Sequence, residues 1–386
     1  MKTYLVGGAV RDQLLNFPYH EKDWVVVGST PEEMLAQGFT PVGKDFPVFL
    51  HPTTHEEYAL ARTERKTAPG YKGFTFHTDK NISLEEDLQR RDLTINAIAK
   101  ADDGTLTDPY GGQQDIKNKV LRHVSSAFRE DPVRVLRVAR FAARYHHLGF
   151  CIADDTLQMM RDIVEQGETQ ALVAERVWQE IHKALSERHP EQFFYTLHRC
   201  GALGDLVSDQ KAIQQKIADL SLAPLLNTMA YYSSESLSSR KPQQHPMIRF
   251  AAFCFIFEPN EINAVCQHVS APNDYTDLAI LLKQHHDLCT SNNHWSTETL
   301  SRLFQQCDTI RRPDRFRLLL TANDAITFSN SASNVLTAEL LRALHAYQTV
   351  DHQSLIQQGF TKAALGQAIQ HQRKKQLAEW LEKFKP

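Results

Sequence analysis

The stretch from Leu5 to Gly28 decides the fold, and it is LVGGAVRDQLLNFPYHEKDWVVVG. A short apolar strand at 4–6 ends in Gly7-Gly8, and a helix over 9–15 is predicted to follow. Two glycines let the backbone come close to a phosphate, and the start of the next helix offers unpaired N–H groups. The pattern predicts a phosphate-binding turn.

A second apolar run, Trp24 to Val27, carries Glu21 and Asp23 at its leading edge. Because side chains alternate along a strand, these two carboxylates converge on one face while Lys22 points away. Either motif alone is more often an ordinary turn or a solvated strand edge. Together they are the equipment of two-metal nucleotidyl transfer.

The bulk properties describe a globular chain of several packed units. It has 386 residues, of which 42% are hydrophobic and 23% charged, with a net charge of −3. The net charge disfavours a protein that coats nucleic acid but leaves room for a local RNA-binding patch. Six cysteines without C-x-x-C spacing favour reduced thiols. No signal peptide or membrane span is evident, so we expect a cytoplasmic protein.

Mixed α/β patterns extend to about residue 121. Thr30-Pro31 predicts a helix start and Gly38 its end, and strands are predicted at 48–50 and 58–60. The segment 61–78 has no clear period and predicts either a solvated loop or a loop that closes on nucleotide, with Arg62 and Arg65 as candidates.

A helix is then predicted from Leu84 to Asn96, capped by Ser83. Within it, Arg91 beside Asp92 is either a surface charge run or a phosphate or ribose clamp held by its acidic neighbour.

From His123 onward the pattern is helical. Over 130–144, one helical face is apolar, and Arg137, Arg140 and Arg144 lie opposite, which fits a helix presenting cations to polyphosphate. From this segment alone, Asp131 before Pro132 is either a plain helix cap or a functional partner of Arg134 at i,i+3. The basic C-terminal segment with Trp380 and Phe384 predicts a solvated helix or, less often, RNA backbone contact.

Taken together, LVGGAVRD, EKDW, RRDLTIN and EDPVRVLRVARF, in this order and spacing, resemble the bacterial class II CCA-adding enzymes, which are tRNA nucleotidyltransferases. The resemblance implies an α+β fold: a polymerase β-like head of mixed sheet and helices, followed by an all-α remainder. The implied divisions are the catalytic head (1–121), the neck (122–184), the body (185–270) and the tRNA-binding tail (271–386).

The resemblance also implies template-independent addition of C, C and A to the tRNA 3′ end from CTP and ATP, with release of pyrophosphate and use of Mg²⁺. The partner is the 3′ end and acceptor arm of tRNA, and the chain is a monomer or homodimer. The implied roles are metal binding by Glu21 and Asp23, nucleotide binding by Gly8, Arg11, Arg91, Arg137 and Arg140, and base reading by Asp131 and Arg134. Weaker candidates are Glu57 as a third carboxylate, Arg62 and Asp92.

Hydrogen bonding supports base reading by an Asp and Arg pair. Cytosine and adenine both offer an exocyclic amine beside a ring-nitrogen acceptor, whereas uracil and guanine present a carbonyl and an N–H there. Each unpaired buried polar group costs ~1–3 kcal/mol, so two mismatches give a discrimination of roughly a few hundredfold. This argument favours Asp131 as a base reader, a role that can alternate with capping.

Two departures from the family pattern matter. Glu21 stands where the family usually has Asp, which extends the carboxylate by one methylene. Some bacterial relatives carry a C-terminal HD phosphohydrolase domain, but here His286-Asp287 is the single HD dipeptide and lacks companion His and Asp clusters. We therefore predict no metal-dependent phosphatase or phosphodiesterase activity.

Two alternatives remain open. A poly(A) polymerase of the same superfamily shares the head motifs but adds A alone, so a CTP requirement separates the two. A non-catalytic tRNA-binding protein could retain the fold, and Mg²⁺-dependent nucleotide binding would decide against it. A dinucleotide-binding oxidoreductase is disfavoured because GGAVRD lacks the G-x-G-x-x-G pattern.

Overall fold

The computed structural model describes residues 1–19, 21–42, 47–66, 74–219, 245–327 and 332–384, with side chains at 64–66, 74–78, 245 and 332–335 left out. The chain divides into two compact units, Met1–Leu220 and Ser221–Pro386. Within the described ranges, no helix is long and apolar enough to cross a membrane.

A seven-stranded mixed sheet forms the base of the first unit. The strands of this sheet and of a separate hairpin are β1 (Lys2–Val6), β2 (Asp23–Val27), β3 (Thr40–Pro41), β4 (Val48–Leu50), β5 (Glu57–Leu60), β6 (Arg62–Lys66), β7 (Phe74–Thr78), β8 (Ala99–Lys100) and β9 (Leu106–Thr107). The sheet order is β3-β4-β5-β2-β1-β8-β9, in which β2 and β5 are parallel and the other neighbours antiparallel. The predicted mixed sheet is confirmed.

The centre of the sheet positions the acidic residues. Val6, Val25 and Val26 are buried there, as expected of strands covered on both faces. The antiparallel register pairs Val6 with Asp23, so the Gly7-Gly8 turn and the start of β2 lie at the same edge of the sheet. The chain then enters helix α1 (Gly8–Leu14).

Helix α2 (Pro31–Ala36) begins as predicted. The Thr30 hydroxyl accepts from the Glu33 N–H, the Glu33 carboxylate accepts from the Thr30 N–H, and Pro31 occupies the first helical position. Gly38, with φ +85°, follows the end of the helix, where a residue without Cβ is favoured.

The prediction of an irregular loop over 61–78 is wrong for the described part of that segment. β6 and β7 pair antiparallel, from Arg62 opposite Thr78 to Lys66 opposite Phe74. The alternation of Phe and Thr in FTFHT has high strand propensity, which outweighed the charge and glycine content that suggested a loop. The side chain of Arg65 and residues 67–73 lie outside the described residues.

The prediction of one helix from Leu84 to Asn96 is also wrong in its second half. Helix α3 (Leu84–Gln89) has the predicted Ser83 cap but ends after six residues, and a 3₁₀ turn follows at Thr94–Asn96. The Asp92 carboxylate accepts from the Leu93 N–H at 2.8 Å. Such local side-chain bonds to the backbone compete with helix continuation.

Helix α4 (Gly112–Asn118) and helix α5 (Val133–Tyr145) follow. The region after His123 is not wholly helical, because β10 (Val120–Leu121) pairs in parallel with β11 (Cys151–Ile152). This two-residue pairing joins segments about 30 residues apart and leaves no periodic trace in the sequence.

Helices complete both units. In the first unit they are α6 (Asp154–Glu165), α7 (Ala174–Ser186), α8 (Pro190–Arg199), α9 (Ala202–Val207) and α10 (Lys211–Ala218). In the second unit they are α11 (His245–Cys254), α12 (Pro259–His268), α13 (Asn273–Thr290), α14 (Thr297–Gln306), α15 (Pro313–Ile326), α16 (Ala332–Gln348), α17 (His352–Gln357) and α18 (Lys362–Lys383).

Candidate active site

A cleft of about 630 Å³ lies where the Gly7-Gly8 turn, the start of β2, helix α5 and the end of helix α7 meet. Its lining residues are Gly7, Gly8, Arg11, Glu21, Asp23, Arg91, Asn96, Arg137, Arg140, Phe141, Arg144, His182, Lys183, Ser186 and Glu187. The structure thus brings the two predicted acids and five predicted nucleotide-binding residues into one cavity. Carboxylates and arginines share its wall, as a site for a metal-bound polyphosphate requires.

Gly7 allows the close packing at the base of the cleft. Its φ is +68°, and a Cβ at this position would lie 3.1 Å from an Nη atom of Arg91. A larger residue would therefore strain the turn and push the Arg91 guanidinium aside.

The acidic pair consists of Glu21, two residues before β2, and Asp23, its first residue. Desolvation raises the pKa of Asp23; the positive charge of Arg91 opposes the rise and the negative charge of Glu21 adds to it. A cation between the two carboxylates would relieve this electrostatic cost, and paired carboxylate oxygens are a donor set that suits a hard divalent ion. The residues present therefore fit a metal.

Glu57 is in register with Asp23 on the neighbouring parallel strand, so both point to the same face of the sheet. Glu57 is exposed and does not line the cleft. Among the described residues, no group of three His, Cys, Asp or Glu side chains is arranged to hold a metal. The role of Glu57 as a third carboxylate stays a prediction.

Arg11 is nearly buried and held from several sides. Its Nε donates to Asp12 at 2.9 Å, one Nη donates to Asn96 at 2.6 Å, and the guanidinium lies over the Phe141 ring at 5.1 Å. Such a side chain loses little conformational entropy when it binds an anion.

Arg91 and Asp92 do not form the predicted clamp with each other. Arg91 donates to Asp87 at 3.2 Å, whereas Asp92 is buried and accepts from Arg137 at 2.7 Å. Asp87 also accepts from Arg90. Because the helix ends at Gln89, Arg91 and Asp92 point in different directions, and Arg91 is held by Asp87 while Asp92 holds Arg137.

Arg140 lies on the predicted arginine face of helix α5 but is also held by a carboxylate of another helix. Its Nε donates to Glu180 on helix α7 at 2.7 Å, and the side chain is about nine-tenths buried, although it lines the cleft. Arg137 and Arg144 are each about one-third exposed. The packing of helix α7 on helix α5, which periodicity cannot reveal, buries one cation of the three.

A second cavity, of about 360 Å³, contains both predicted base readers. Its lining residues are Arg90, Arg91, Asp131, Val133, Arg134, Arg137, Arg176, Gln179, Glu180 and Lys183. Arg91, Arg137 and Lys183 line this cavity and the cleft alike, so the two cavities adjoin.

Asp131 caps helix α5 and also forms an ion pair. Its Oδ1 accepts from the Val133 N–H at 3.2 Å, and its two oxygens accept from Arg176 at 3.2 and 2.8 Å. The capping alternative is therefore realised in this structure. A carboxylate offers about four acceptor positions, so further capacity remains on Oδ2.

Arg134 is held by the backbone. Its Nη atoms donate to the carbonyls of Ala127 and Arg90, each at 2.6 Å. Arg62, a weaker candidate, lines neither cavity; its N–H donates to Asp87, and its carbonyl accepts from Arg90.

Sequence reasoning missed the contribution of helix α7. Arg176 and Glu180 are four residues apart and so share one helical face, and Glu180 falls among buried Val177, Ile181 and Ala184. An acid on an apolar helical face indicates a buried ion pair, and this signal could have identified Glu180.

Residues 3–122 match the family model described as "Poly A polymerase head domain", and residues 149–213 match "Probable RNA and SrmB- binding site of polymerase A". The chain is 46% identical to the Multifunctional CCA protein of Teredinibacter turnerae, covering 96% of this chain and 95% of that protein. It is 47% identical to the CCA-adding enzyme of Coxiella burnetii, covering 96% and 93%.

Solved structures share the fold. The Bacillus stearothermophilus CCA-adding enzyme in complex with CTP aligns with a TM-score of 0.65 at 22% identity, covering 99% of this chain and 93% of that one. An apo CCA-adding enzyme aligns with a TM-score of 0.69 at 21% identity, covering 99% and 91%.

The head fold and the arginine-lined acidic cleft together define a nucleotidyltransferase with a helical C-terminal part, of a class that uses divalent metal. At 46–47% identity over nearly its whole length, the chain belongs to the CCA-adding enzyme family.

Proposed function

We propose that this chain adds and repairs the 3′-terminal CCA of tRNA, using CTP and ATP and releasing pyrophosphate. The observation that carries the proposal is that the two cavities adjoin. The cleft is lined by the acidic pair and by arginines, and the second cavity is lined by Asp131 and Arg134. A nucleoside triphosphate needs this combination, with its phosphates beside metal and cations and its base beside selective hydrogen-bonding groups.

Glu21 and Asp23 would hold Mg²⁺. When bound, one metal ion would lower the pKa of the tRNA 3′-hydroxyl and a second would stabilise the leaving pyrophosphate. The carboxylates of this chain contribute the negative charge that keeps the cation at the start of β2, next to the glycine turn.

The arginines orient the triphosphate and take up the charge that develops on it. Arg11 and Arg91 approach from the side of the glycine turn, and Arg137 and Arg140 from helix α5. Gly8 is the first residue of helix α1 and lies beside Arg11. Because Gly8 has no side chain, a phosphate can approach the backbone there. Because these arginines are already bonded to carboxylates or an amide, little reorganisation is needed on binding.

Asp131 and Arg134 read the base. Oδ2 of Asp131 would accept from the exocyclic amine of cytosine or adenine, and the Arg134 guanidinium would donate to the adjacent ring nitrogen. Uracil and guanine would place a carbonyl against the carboxylate and an N–H against the guanidinium. Arg176 holds the Asp131 carboxylate in place for this role.

The wider organisation follows the same proposal. The four divisions at 1–121, 122–184, 185–270 and 271–386 correspond to head, neck, body and tail, and the tail contacts tRNA. We expect a cytoplasmic enzyme that is a monomer or homodimer.

The test is incorporation of labelled CTP and ATP into a tRNA transcript that lacks CCA, with Mg²⁺. Wild type should add two C and one A, and Asp23→Ala should add neither. Asp102→Asn, which changes an exposed carboxylate in the β8–β9 turn, serves as the matched control and should behave as wild type. Runs of A without C would indicate a poly(A) polymerase instead, and tRNA binding without incorporation would indicate a binding protein.

A further inference from the structure

Asp12 is a buried carboxylate on which three donors converge. Its Oδ1 accepts from Arg11 Nε at 2.9 Å and from the Tyr145 hydroxyl at 2.9 Å, and its Oδ2 accepts from Arg144 at 3.1 Å. Asp12 is 5% exposed and does not line the cleft. A buried charge persists only where it is paired and hydrogen-bonded, and here two cations and a hydroxyl satisfy it.

The partners come from two distant parts of the chain. Asp12 and Arg11 lie in helix α1, directly after the glycine turn, whereas Arg144 and Tyr145 form the last turn of helix α5, more than 130 positions later. Asp12 therefore connects the helix that follows the phosphate-binding turn to the helix that carries the arginines.

The orientation of Arg11 depends on this connection. Its Nε faces Asp12, one Nη faces Asn96, and its guanidinium lies over the Phe141 and Tyr145 rings at 5.1 and 5.4 Å. The other Nη lies beside Gly8, 3.5 Å from where a Cβ would be. Because Nε is bonded to Asp12 and one Nη to Asn96, the other Nη is directed toward the glycine turn and the cleft.

Arg144 depends on the same carboxylate. It lines the cleft, is about one-third exposed, and its guanidinium lies 5.5 Å from the Tyr145 ring centroid. Arg11 and Arg144 would repel each other without an anion between them. Asp12 supplies such an anion from the side away from the cleft, and Glu187, which lines the cleft, adds a second negative charge near both arginines.

We propose that Asp12 is a positioning residue: it holds Arg11 and Arg144 as a preformed pair of cations for the triphosphate of the incoming nucleotide. The inference rests on the proposed function of the cleft and assigns roles to Asp12 and Arg144. Because the pair faces phosphates and not the base, Asp12 affects CTP and ATP alike.

The test compares Asp12→Asn, Arg144→Met and the double variant. Calorimetric affinities for CTP and ATP with Mg²⁺ are measured first, and steady-state kcat and KM second. Asp12→Asn should weaken both nucleotides by the same factor, roughly tenfold, because a charge-assisted arrangement is replaced by a neutral one. Arg144→Met should weaken binding less in the Asp12→Asn background than in wild type, since the two residues act through one contact.

Tyr145→Phe is the matched control. The substitution removes the hydrogen bond from the Tyr145 hydroxyl to Asp12 but leaves the ion pairs of Asp12 with Arg11 and Arg144. The affinity for each nucleotide should therefore change by less than about threefold. If Asp12→Asn does not fold, which far-UV circular dichroism will show, Arg144→Met alone must still weaken CTP and ATP equally.

Wild-type affinity for both nucleotides in Asp12→Asn would overturn the proposal. So would a loss confined to kcat, a loss for one nucleotide only, or independent effects that multiply in the double variant. Failure of the wild-type chain to incorporate CMP and AMP would count against the proposed function and not against the positioning role, because the affinity comparison does not depend on turnover.

Discussion

Arg137 approaches the Asp92 carboxylate with two nitrogens, Nε and an Nη, each 2.7 Å from the same oxygen, Oδ2. The other oxygen accepts from the Leu93 N–H and from the Asn96 amide. Burial is the largest single effect and by itself would raise the pKa of Asp92. The charge of Arg137, the hydrogen bonds from Asn96 and Arg137 and the charge of Arg134 together outweigh burial and hold the pKa well below its usual range. Asp92 thus anchors a cation of the cleft from beneath.

Asp92→Asn should raise KM for CTP and ATP and lower stability at neutral pH by about 2 kcal/mol, because Arg137 loses its buried partner while remaining partly solvated. The pH dependence follows from the sign of the shift. Since the folded pKa lies below the unfolded value of about 3.9, the stabilisation is complete above that value and is lost progressively as pH falls from there through the folded pKa. Urea unfolding between about pH 6 and about pH 3 should therefore show a steeper loss for wild type than for the variant. Equal slopes would contradict the anchoring role, and Asp102→Asn provides the control.

Asp131→Asn tests base reading. Asn still caps a helix well, so stability should change by less than about 1 kcal/mol, but its amide can present a donor where the carboxylate presents acceptors. We expect the preference for CTP over UTP to fall at least about tenfold, measured as the ratio of kcat/KM values. Asp162→Asn is the matched control, because Asp162 also pairs with an arginine, Arg129, and lines neither cavity. Unchanged UTP rejection in Asp131→Asn would leave Asp131 with a capping role alone.

Gly7→Ala and Gly28→Ala separate backbone strain from contact with the cleft. Both glycines have positive φ, +68° and +74°, so each substitution should cost about 1–2 kcal/mol of stability. Only at Gly7 would the new Cβ meet Arg91, whereas Gly28 has nothing within 4 Å. Gly7→Ala should therefore also raise KM for both nucleotides, and Gly28→Ala should leave it unchanged. Similar KM values for the two variants would show that Arg91 yields easily.

Asp23→Asn should make the melting temperature independent of Mg²⁺. The raised pKa means that ionised Asp23 opposes folding at neutral pH, and this cost vanishes at pH values below the unfolded pKa. In metal-free buffer at pH 7, the variant should melt at the same temperature as wild type or higher. Saturating Mg²⁺ should raise Tm for wild type alone, because binding to the folded state stabilises it. A similar Mg²⁺-dependent rise in both proteins would place the metal elsewhere.

Phosphohydrolase activity is predicted to be absent. The His286 ring bonds to Asn323 at 2.9 Å and packs against Phe255, which accounts for its position on helix α13 without a metal. Incubation of a phosphomonoester and a cyclic phosphodiester with Mg²⁺, Mn²⁺ or Ni²⁺ should release no product above the blank. Hydrolysis that disappears in His286→Ala would contradict this prediction.

Local sequence signals were sufficient for much of the head. The glycine turn, the acidic pair and the capped start of α2 are all properties of a few adjacent residues, and the structure places them as predicted. The end of α3 and the β6–β7 hairpin were not predicted from the sequence. The hydrogen bond from the Leu93 N–H to the Asp92 carboxylate and the pairing of two strands separated by seven residues leave little or no trace in hydrophobic periodicity.

The carboxylate partners of the arginines, in contrast, could not be predicted from the local sequence. The sequence allows Asp92, the next residue, as one partner for Arg91, but Arg91 pairs with Asp87, and Asp92 pairs with an arginine 45 positions away. Arg140 lines the cleft on the predicted arginine face, but its buried partner Glu180, on helix α7, could not be predicted from periodicity. Charge pairing is decided by which elements pack together, since a Coulomb interaction acts over a few ångströms of space whatever the separation along the chain.

By itself, the sequence determined which chemistry this protein carries: two acids on one strand edge, a glycine turn and an arginine-rich helix, each encoded within a few residues of continuous chain. Only the tertiary structure decided how those groups are held. It determines which carboxylate orients each arginine, it pairs Arg176 with Asp131, and it connects helix α1 to helix α5 through Asp12. The physical reason is that backbone alternation and helical period fix neighbours locally, whereas buried ion pairs form wherever packing removes two opposite charges from water together.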